Sequence, residues 1–407
     1  LVFTPKITIL SEINRTNSMK KVTVLGPAHP YRGGLASIME IMARTFTARG
    51  AEVDIKTFTL QYPEFLFPGK TQYSDRPAPE DLAIERCVST VNPFNWIKVG
   101  RRICRERPDV VHSMTPKAGL LCMLASMLTR VPVRIHTFTG LVFPTASGWK
   151  QKVLMLTDRI TCWSATHVIP EGEGVKNDLL KYGITSKPLQ VLGYGNIRGI
   201  DLNYYRCDET IQGQAQEIRQ RYDNDFIFLY VGRILDEKGM RELVTAYKRF
   251  DEAHAHSRLL LVGPIDTQGG LDSETSSMIL EHPHIEQIGF LPDVRAYYAA
   301  SNCFVFPSYR EGFPNVVIEA GAMSLPCIVT DINGSREIIQ HNKTGLVVEV
   351  KNETALYEAM EYMYTHPIEA KQMSAQACTW VKEHYEQSYV WNCLETYYKQ
   401  VIKEQLK

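Results

Sequence analysis

Glu311 and Glu319, with seven residues between them, lie in the run Pro307-Ser-Tyr-Arg-Glu-Gly-Phe-Pro-Asn-Val-Val-Ile-Glu-Ala-Gly-Ala322. Just before it, Cys303-Phe-Val-Phe306 has the composition of a short buried strand. Gly312-Phe-Pro-Asn315 reads as a turn, and an apolar period opens a helix near Asn315. This order puts Glu311 at the C-terminal edge of a sheet and Glu319 about one helical turn further in. Two acceptors then face one crevice, where unpaired N–H groups and the helix dipole favour an anion. A second element, Tyr230-Val-Gly-Arg-Ile-Leu-Asp-Glu-Lys-Gly239, runs from the strand Phe226 to Val231 into a glycine turn that carries Arg233 and Lys238. Arg can hold phosphate oxygens in bidentate fashion and Lys adds a compact charge. Either element alone is weak, because a single Glu is usually an exposed helix residue. Together they offer carboxylates for hydroxyls beside amides and cations for phosphate, which is what a nucleoside-diphosphate sugar requires.

The surrounding elements alternate. From Lys20 the pattern is a strand, a loop from Pro27 to Gly34, an amphipathic helix from Leu35 to Arg49, Gly50, and a strand from Glu52 to Phe58. Strands follow at Val110 to His112 and Val133 to Thr137, with a helix near Lys117 to Leu128 between them. Glycines interrupt the rhythm between Gly193 and Tyr205, where a linker is expected. The alternation then resumes through Phe226 to Val231, Leu259 to Val262, Ile285 to Phe290, Cys303 to Phe306, Cys327 to Thr330 and Gly345 to Val348. Such alternation indicates an α/β chain with parallel sheets covered by helices on both faces. Doubly wound domains bind ligands at the C-terminal ends of their strands, so a cleft between two of them is the natural site. The expected division is 1–18 as an upstream extension, 19–203 as the first domain, 204–387 as the second and 388–407 as a terminal helix.

Composition narrows the class. With 407 residues, 44% of them hydrophobic, the chain can bury two cores. Nine cysteines without a Cys-x-x-Cys pair fit a reducing cytoplasm better than a disulfide framework or a zinc site. The longest apolar runs, such as Gly119 to Leu128, fall far short of the ~20 residues that span a bilayer. The first eighteen residues lack the basic start, apolar stretch and cleavage site of a signal peptide. Net charge is zero, yet residues 1–200 hold 26 Lys/Arg against 15 Asp/Glu, and the rest hold 19 against 30. A basic first half is a candidate footprint for an anionic surface. Within it, Pro93 to Arg107 mixes Trp96, Ile97, Val99 and Ile103 with five cations. It reads first as a packed helix with a solvated basic face and second as an interfacial helix. No basic motif is interleaved with stacking aromatics, which disfavours nucleic acid as a partner. Asp223-Asn-Asp225 precedes a strand rather than following one, so it reads as a turn and not as a metal site. Gly33-Gly34 is not a GxGxxG fingerprint, which disfavours a nicotinamide enzyme.

From Met19 to the C-terminal helix the chain resembles the retaining glycosyltransferases of family 4. The Glu-x7-Glu motif appears as Glu311 and Glu319, and the Val-Gly-Arg…Lys-Gly loop as Val231, Gly232, Arg233, Lys238 and Gly239. Also similar are Gly33-Gly34, His136-Thr-Phe-Thr-Gly140 and Gly193-Tyr-Gly-Asn-Ile-Arg-Gly-Ile-Asp201. The resemblance implies the GT-B fold, two Rossmann-like doubly wound domains facing each other across a cleft. It also implies a terminal helix that returns to the first domain, for which Trp391 and Tyr397 are reasonable anchors.

What the resemblance implies for roles follows residue by residue. Glu311 would bind donor-sugar hydroxyls and Glu319 the ribose. The segment Gly312, Phe313, Pro314, Asn315 and Val316 would meet the sugar and phosphate. Gly33, Gly34, Gly232, Arg233 and Lys238 would approach the diphosphate, with no metal and no other cofactor. His136 would stand beside the donor sugar through its backbone carbonyl or imidazole, while a core histidine is an equal reading of that residue. His112 and Asn196 are candidates for the acceptor side. Retention in this family is described as a front-face displacement in which the departing phosphate oxygen helps deprotonate the incoming hydroxyl, so catalysis would rest on positioning and on stabilising the diphosphate. Phe313-Pro314-Asn315 departs from the commoner Phe-Gly, and Pro314 removes one amide donor. The stretches at 136–140 and 193–201 look most like the branch that builds capsules, O-antigens and glycan-lipid intermediates, which points to a UDP-hexose or UDP-N-acetylhexosamine. The implied acceptor is a lipid-linked or growing glycan at the inner face of the plasma membrane. A GDP-mannose enzyme, a synthase or phosphorylase making a soluble disaccharide, and a sugar-nucleotide scaffold without turnover remain open.

Overall fold

A computed structural model describes residues 6–10, 21–28, 52–59, 93–106, 110–114, 116–265 and 270–405. Gly33, Gly34 and the helix expected from Leu35 to Arg49 lie outside the described residues. The chain divides into two compact α/β units. One comprises Leu1–Glu171, Val175–Leu192 and Trp391–Lys407, and the other Gly172–Gly174 and Gly193–Val390.

In the first unit, strands β1 (Lys6–Leu10), β2 (Lys21–Ala28) and β3 (Glu52–Thr59) form one sheet in that order. β1 runs antiparallel to β2, with Lys6 opposite Leu25, and is the exception to an otherwise parallel pattern. The helix α1 (Pro93–Glu106) buries Val99 and Ile103 while Arg101 and Arg105 stay exposed. Val99 and Ile103 thus belong to the core, while Ile97 is 47% exposed. A second sheet joins β4 (Val110–Ser113), β5 (Val133–Phe138) and β6 (His167–Pro170), all parallel. Between these strands run α2 (Pro116–Leu128) and α3 (Gly148–Ser164), and α4 (Glu173–Lys181) follows β6.

The second unit holds one six-stranded parallel sheet. Its elements are α5 (Glu209–Arg221), β7 (Phe226–Val231), α6 (Met240–Ala253), β8 (Ser257–Val262), α7 (Ser273–Glu281), β9 (Ile285–Gly289), α8 (Arg295–Ala300) and β10 (Cys303–Phe306). They continue through α9 (Asn315–Ala322), β11 (Cys327–Thr330), α10 (Ser335–Ile338), β12 (Gly345–Val348), α11 (Glu353–Thr365) and α12 (Pro367–Tyr385). The terminal helix α13 (Gln387–Gln405) belongs to the first unit from Trp391 onward.

The order β12-β11-β10-β7-β8-β9 explains why β7, β10 and β11 are almost continuously apolar. Strands covered by helices on both faces have no solvent side to alternate with. Tyr230 and Phe306 stack across the β7 and β10 pair with centroids 6.1 Å apart. Gly321 lets α9 press on α12, since a Cβ there would lie 2.8 Å from Val381 Cγ2. The chain leaves β7 toward β8 and β9, then returns to the other side of β7 at β10. The loops after β7 and β10 therefore diverge at a topological switch point, where such sheets leave a ligand crevice.

Candidate active site

The loop after β7 is built around close backbone approaches. Gly232 and Gly263 have φ of 153° and 149°, and a Cβ on Gly263 would fall 1.9 Å from the Gly232 carbonyl oxygen. The Tyr230 hydroxyl donates to the Arg233 carbonyl at 2.8 Å and fixes the turn that presents the exposed Arg233 side chain. A 3-10 turn, Asp236–Lys238, ends at Gly239 with φ 71°. A side chain at 239 would strike the Pro307 carbonyl at 2.1 Å, so glycine is what lets the two loops touch. Lys238 then reaches across the switch point and pairs with the Glu311 carboxylate, which also accepts from Ser308 Oγ at 3.2 Å. The loops are braced further by Tyr309 N–H to the Glu237 carbonyl, 2.9 Å, and by Arg310 Nη2 to Glu237 Oε2, 2.7 Å. The expected cation and the expected first carboxylate are thus in direct contact, with side-chain exposures of 13% and 20%.

Glu319 is set in a different frame. It is 7% exposed on α9, not a solvated helix residue. Its Oε1 meets Arg198 Nη1 at 3.2 Å, and its Oε2 accepts from the Tyr298 hydroxyl at 3.4 Å. The Tyr205 hydroxyl adds a further bond to Glu319, and burial followed by the Glu319 charge raises its pKa. Asn196 has φ 57°, in the left-handed region that Asn tolerates. Its Oδ1 accepts from the N–H groups of Arg198 and Gly199, 2.9 and 2.7 Å, and its Nδ2 donates to Asn315 Oδ1 at 3.0 Å. The turn is clamped to the chain after α12: Ile200 N–H donates to the Tyr385 carbonyl at 2.8 Å and Gln387 N–H to the Ile200 carbonyl at 3.0 Å. Asn196, expected on the acceptor side, is placed at the start of the helix that carries Glu319.

The connecting turn is tightly held. Gly312, Phe313 and Pro314 are buried, and Pro314 is the N-cap of α9. Gly334, with φ 75°, packs so closely that a Cβ would lie 2.4 Å from the Gly312 carbonyl oxygen. Phe313 packs on the Tyr385 ring at 5.5 Å, and the Val316 carbonyl accepts from Tyr298 at 3.2 Å. Arg198, Tyr205, Tyr298 and Ser308 were not singled out in the sequence. Arg198 stood inside the glycine-rich stretch at 193–201, but nothing local paired it with Glu319.

In the first unit His112 and His136 are fully buried in the C-terminal halves of β4 and β5. His112 Nδ1 bonds the Tyr398 hydroxyl on α13, and its Nε2 meets Thr137 Oγ1 at 2.7 Å. A contact from His112 to an acceptor would have to break one of these bonds. His136 Nδ1 bonds Ser113 Oγ at 2.7 Å, whereas its Nε2 is buried without a hydrogen-bond partner. Gly119 on α2 makes room for this ring, since a Cβ there would sit 2.4 Å from His136 Cε1. Burial lowers both imidazoles to about 3; the His136 charge pushes His112 the same way, and the Ser113 bond opposes the shift at His136. Both rings are therefore neutral at pH 7. Among the described residues no group of three or more His, Cys, Asp or Glu side chains could hold a metal ion.

Comparisons with known proteins show what the chain is similar to. Residues 33–195 match the family described as glycosyl transferase 4-like domain, and residues 212–380 match glycosyl transferases group 1. The capsular polysaccharide biosynthesis glycosyltransferase CapM of Staphylococcus aureus is 31% identical over 302 residues, 74% of this chain and 79% of its own length. The UDP-Gal:alpha-D-GlcNAc-diphosphoundecaprenol alpha-1,3-galactosyltransferase of Escherichia coli is 24% identical over 266 residues, 65% of this chain and 68% of its own. The crystal structure of Anabaena HepE in complex with UDP-glucose superposes with a TM-score of 0.70 at 17% identity, covering 94% of this chain and 100% of that one. That last likeness is one of fold.

Proposed function

The chain belongs to the glycosyltransferase 4-like, group 1 family of GT-B enzymes, and from that premise we propose that it is a retaining hexosyltransferase using a UDP-sugar. The sugar moved is a hexose or N-acetylhexosamine, and the acceptor is a hydroxyl of a lipid-linked or growing surface glycan at the cytoplasmic face of a membrane. The carrying observation is the Lys238 to Glu311 contact at the switch point, with Arg233 on the same loop. The relative from Escherichia coli uses a UDP-sugar and an undecaprenol-linked acceptor by name, and HepE holds UDP-glucose. These names favour UDP over GDP-mannose. CapM and the basic first half of the chain favour a surface-glycan acceptor beside an anionic membrane.

In this reading the donor's diphosphate takes over Lys238 and Arg233, while Glu311, released from Lys238, accepts from the sugar hydroxyls. Glu319, already oriented by Arg198 and Tyr298, accepts from the ribose. The turn from Gly312 to Val316 backs the sugar and phosphate, with Gly232 allowing close approach. The acceptor oxygen bonds to the anomeric carbon on the face from which the phosphate oxygen departs. That oxygen takes the acceptor's proton, so configuration is retained and no protein base is required. Two cations do the charge stabilisation that a metal supplies in other transferases. The neutral, walled-in His136 ring supports a role for its backbone carbonyl rather than for a charged imidazole.

Thermal shift against UDP, GDP and ADP tests the reading. UDP at a hundredfold excess over Kd should stabilise by about 2.7 kcal/mol, and Arg233→Ala should abolish the shift. A shift with GDP alone would overturn the donor, and full transfer activity in both Arg233→Ala and Glu319→Ala would overturn the site. Transfer to a soluble sugar without any lipid carrier would replace the acceptor assignment with the soluble synthase reading.

A further inference from the structure

Helix α3 has apolar residues on two sides: Leu154 and Met155 pack against the core that Cys162 joins, and a second apolar stripe faces water. The buried residues are Asp158, Thr161, Cys162 and Ser164. The hydroxyls of Thr161 and Ser164 are satisfied by carbonyls one turn back, at 2.8 Å each. On the other side Trp149 is 79% exposed, Val153 48%, Leu156 55% and Trp163 67%. Spacings of four, three and seven place these four on one helical face, and from Trp149 to Trp163 the stripe runs for ~21 Å. Soluble surfaces do not ordinarily carry a contiguous apolar stripe with an aromatic residue at each end, so this one calls for an occupant. Charge says which. The exposed charged residues of α3 are Lys150, Lys152 and Arg159, and its one carboxylate, Asp158, is buried. A second copy docking on the same face would set cations against cations, whereas an anionic surface complements them. Tryptophan at both ends suits the boundary between head groups and acyl chains. Among the described residues no helix is long and apolar enough to cross a membrane, so the contact is one of lying on the surface.

We propose that α3 docks this chain on an anionic lipid bilayer, with Trp149, Val153, Leu156 and Trp163 at the acyl boundary and Lys150 and Lys152 on the lipid phosphates. The proposal deepens the membrane-side reading above and rests on it for the biological partner, but vesicle binding is read without donor or acceptor. The full chain is co-sedimented with vesicles of phosphatidylcholine alone and of phosphatidylcholine mixed with phosphatidylglycerol. Binding to the mixed vesicles is expected, weakened by added salt. Trp149→Ser with Trp163→Ser should lower it roughly a hundredfold, and Lys150→Glu with Lys152→Glu about tenfold or more. The melting temperature and the UDP shift should stay as in the parent chain. Should the tryptophan variant fail to fold, the lysine variant decides alone. Absence of binding to the mixed vesicles, or unchanged binding in the folded variants, overturns the proposal. So does sedimentation velocity showing a dimer that these substitutions dissociate while vesicles stay unbound. Loss of the UDP response with vesicle binding intact would sink the donor reading and leave this one standing.

Discussion

The strand ends of the two units hold their polar groups in opposite electrical states. In the second unit, Glu311 with Lys238 and Glu319 with Arg198 are ion pairs whose side chains are between 10% and 20% exposed. In the first, His112 and His136 are fully buried and kept neutral, and their partners are the hydroxyls of Tyr398, Thr137 and Ser113. The cause is solvation. A charge that keeps some water can be retained and later exchanged for a ligand, whereas a fully desolvated imidazole sheds its proton. The ion pairs stand on the proposed donor side, and neutral hydrogen bonds hold the rings of His112 and His136.

Removing a cation from the second unit should break the comparison most visibly. Lys238→Ala should lower kcat about 10²- to 10³-fold in initial-rate assays with a UDP-sugar, with Lys238→Arg losing much less. Equal losses in both would show that geometry rather than charge matters there. Next comes Arg198→Ala, which strands a nearly buried carboxylate. About 3 kcal/mol of stability should go in denaturant titrations, together with much of the UDP-induced shift. An unchanged shift would detach Arg198 from the donor site.

The first unit should respond to pH instead. Both imidazoles have folded pKa values depressed to about 3, so the unfolded chain binds protons that the folded chain refuses. Stability is complete above about 6.5 and falls as pH drops from there toward 3, by up to about 1.4 kcal/mol per pH unit for each ring. Denaturation curves across that range should show the slope, and His136→Asn should reduce it. An identical slope in the variant would place the protons elsewhere. Smallest is Asp158, where burial raises the carboxyl to about 7. Its contribution is complete below the ordinary carboxylate range and is lost as pH rises through about 7. Asp158→Asn should therefore stabilise by about 1–2 kcal/mol above neutral pH, and a loss of stability there would mean that the charged form is favoured.

Much of the second unit was legible because its signals are local. The apolar run of β7 ending in Gly232, and the β10 strand, turn and α9 helix around the two carboxylates, are each continuous stretches of sequence no longer than 303–322. Patterns that short are readable from periodicity and turn chemistry. The first unit was harder. β1 was strand-like in composition, yet nothing in Lys6–Leu10 announced an antiparallel partner. Two helices show the limit of charge-and-apolar patterns: α1 has the more amphipathic look and gives Val99 and Ile103 to the core, while α3, never singled out, leaves its tryptophans in water.

By itself the sequence determined most of the strands, where the glycine turns fall, that Arg233, Lys238 and Glu311 follow strands, and that Glu319 lies on the helix after one. Those properties follow from steric and solvation preferences acting over a few neighbours. Only the tertiary structure decided the partners. Arg198 and Glu319 are 121 positions apart, and His112 and Tyr398 are 286 apart. Sheet order, not local preference, brings Lys238 to Glu311, because the switch between β7 and β10 lays two distant loops side by side. Burial then sets the charge state. Whether a carboxylate stays ionised or an imidazole gives up its proton depends on how much water the folded chain leaves around it, a quantity that no stretch of sequence contains.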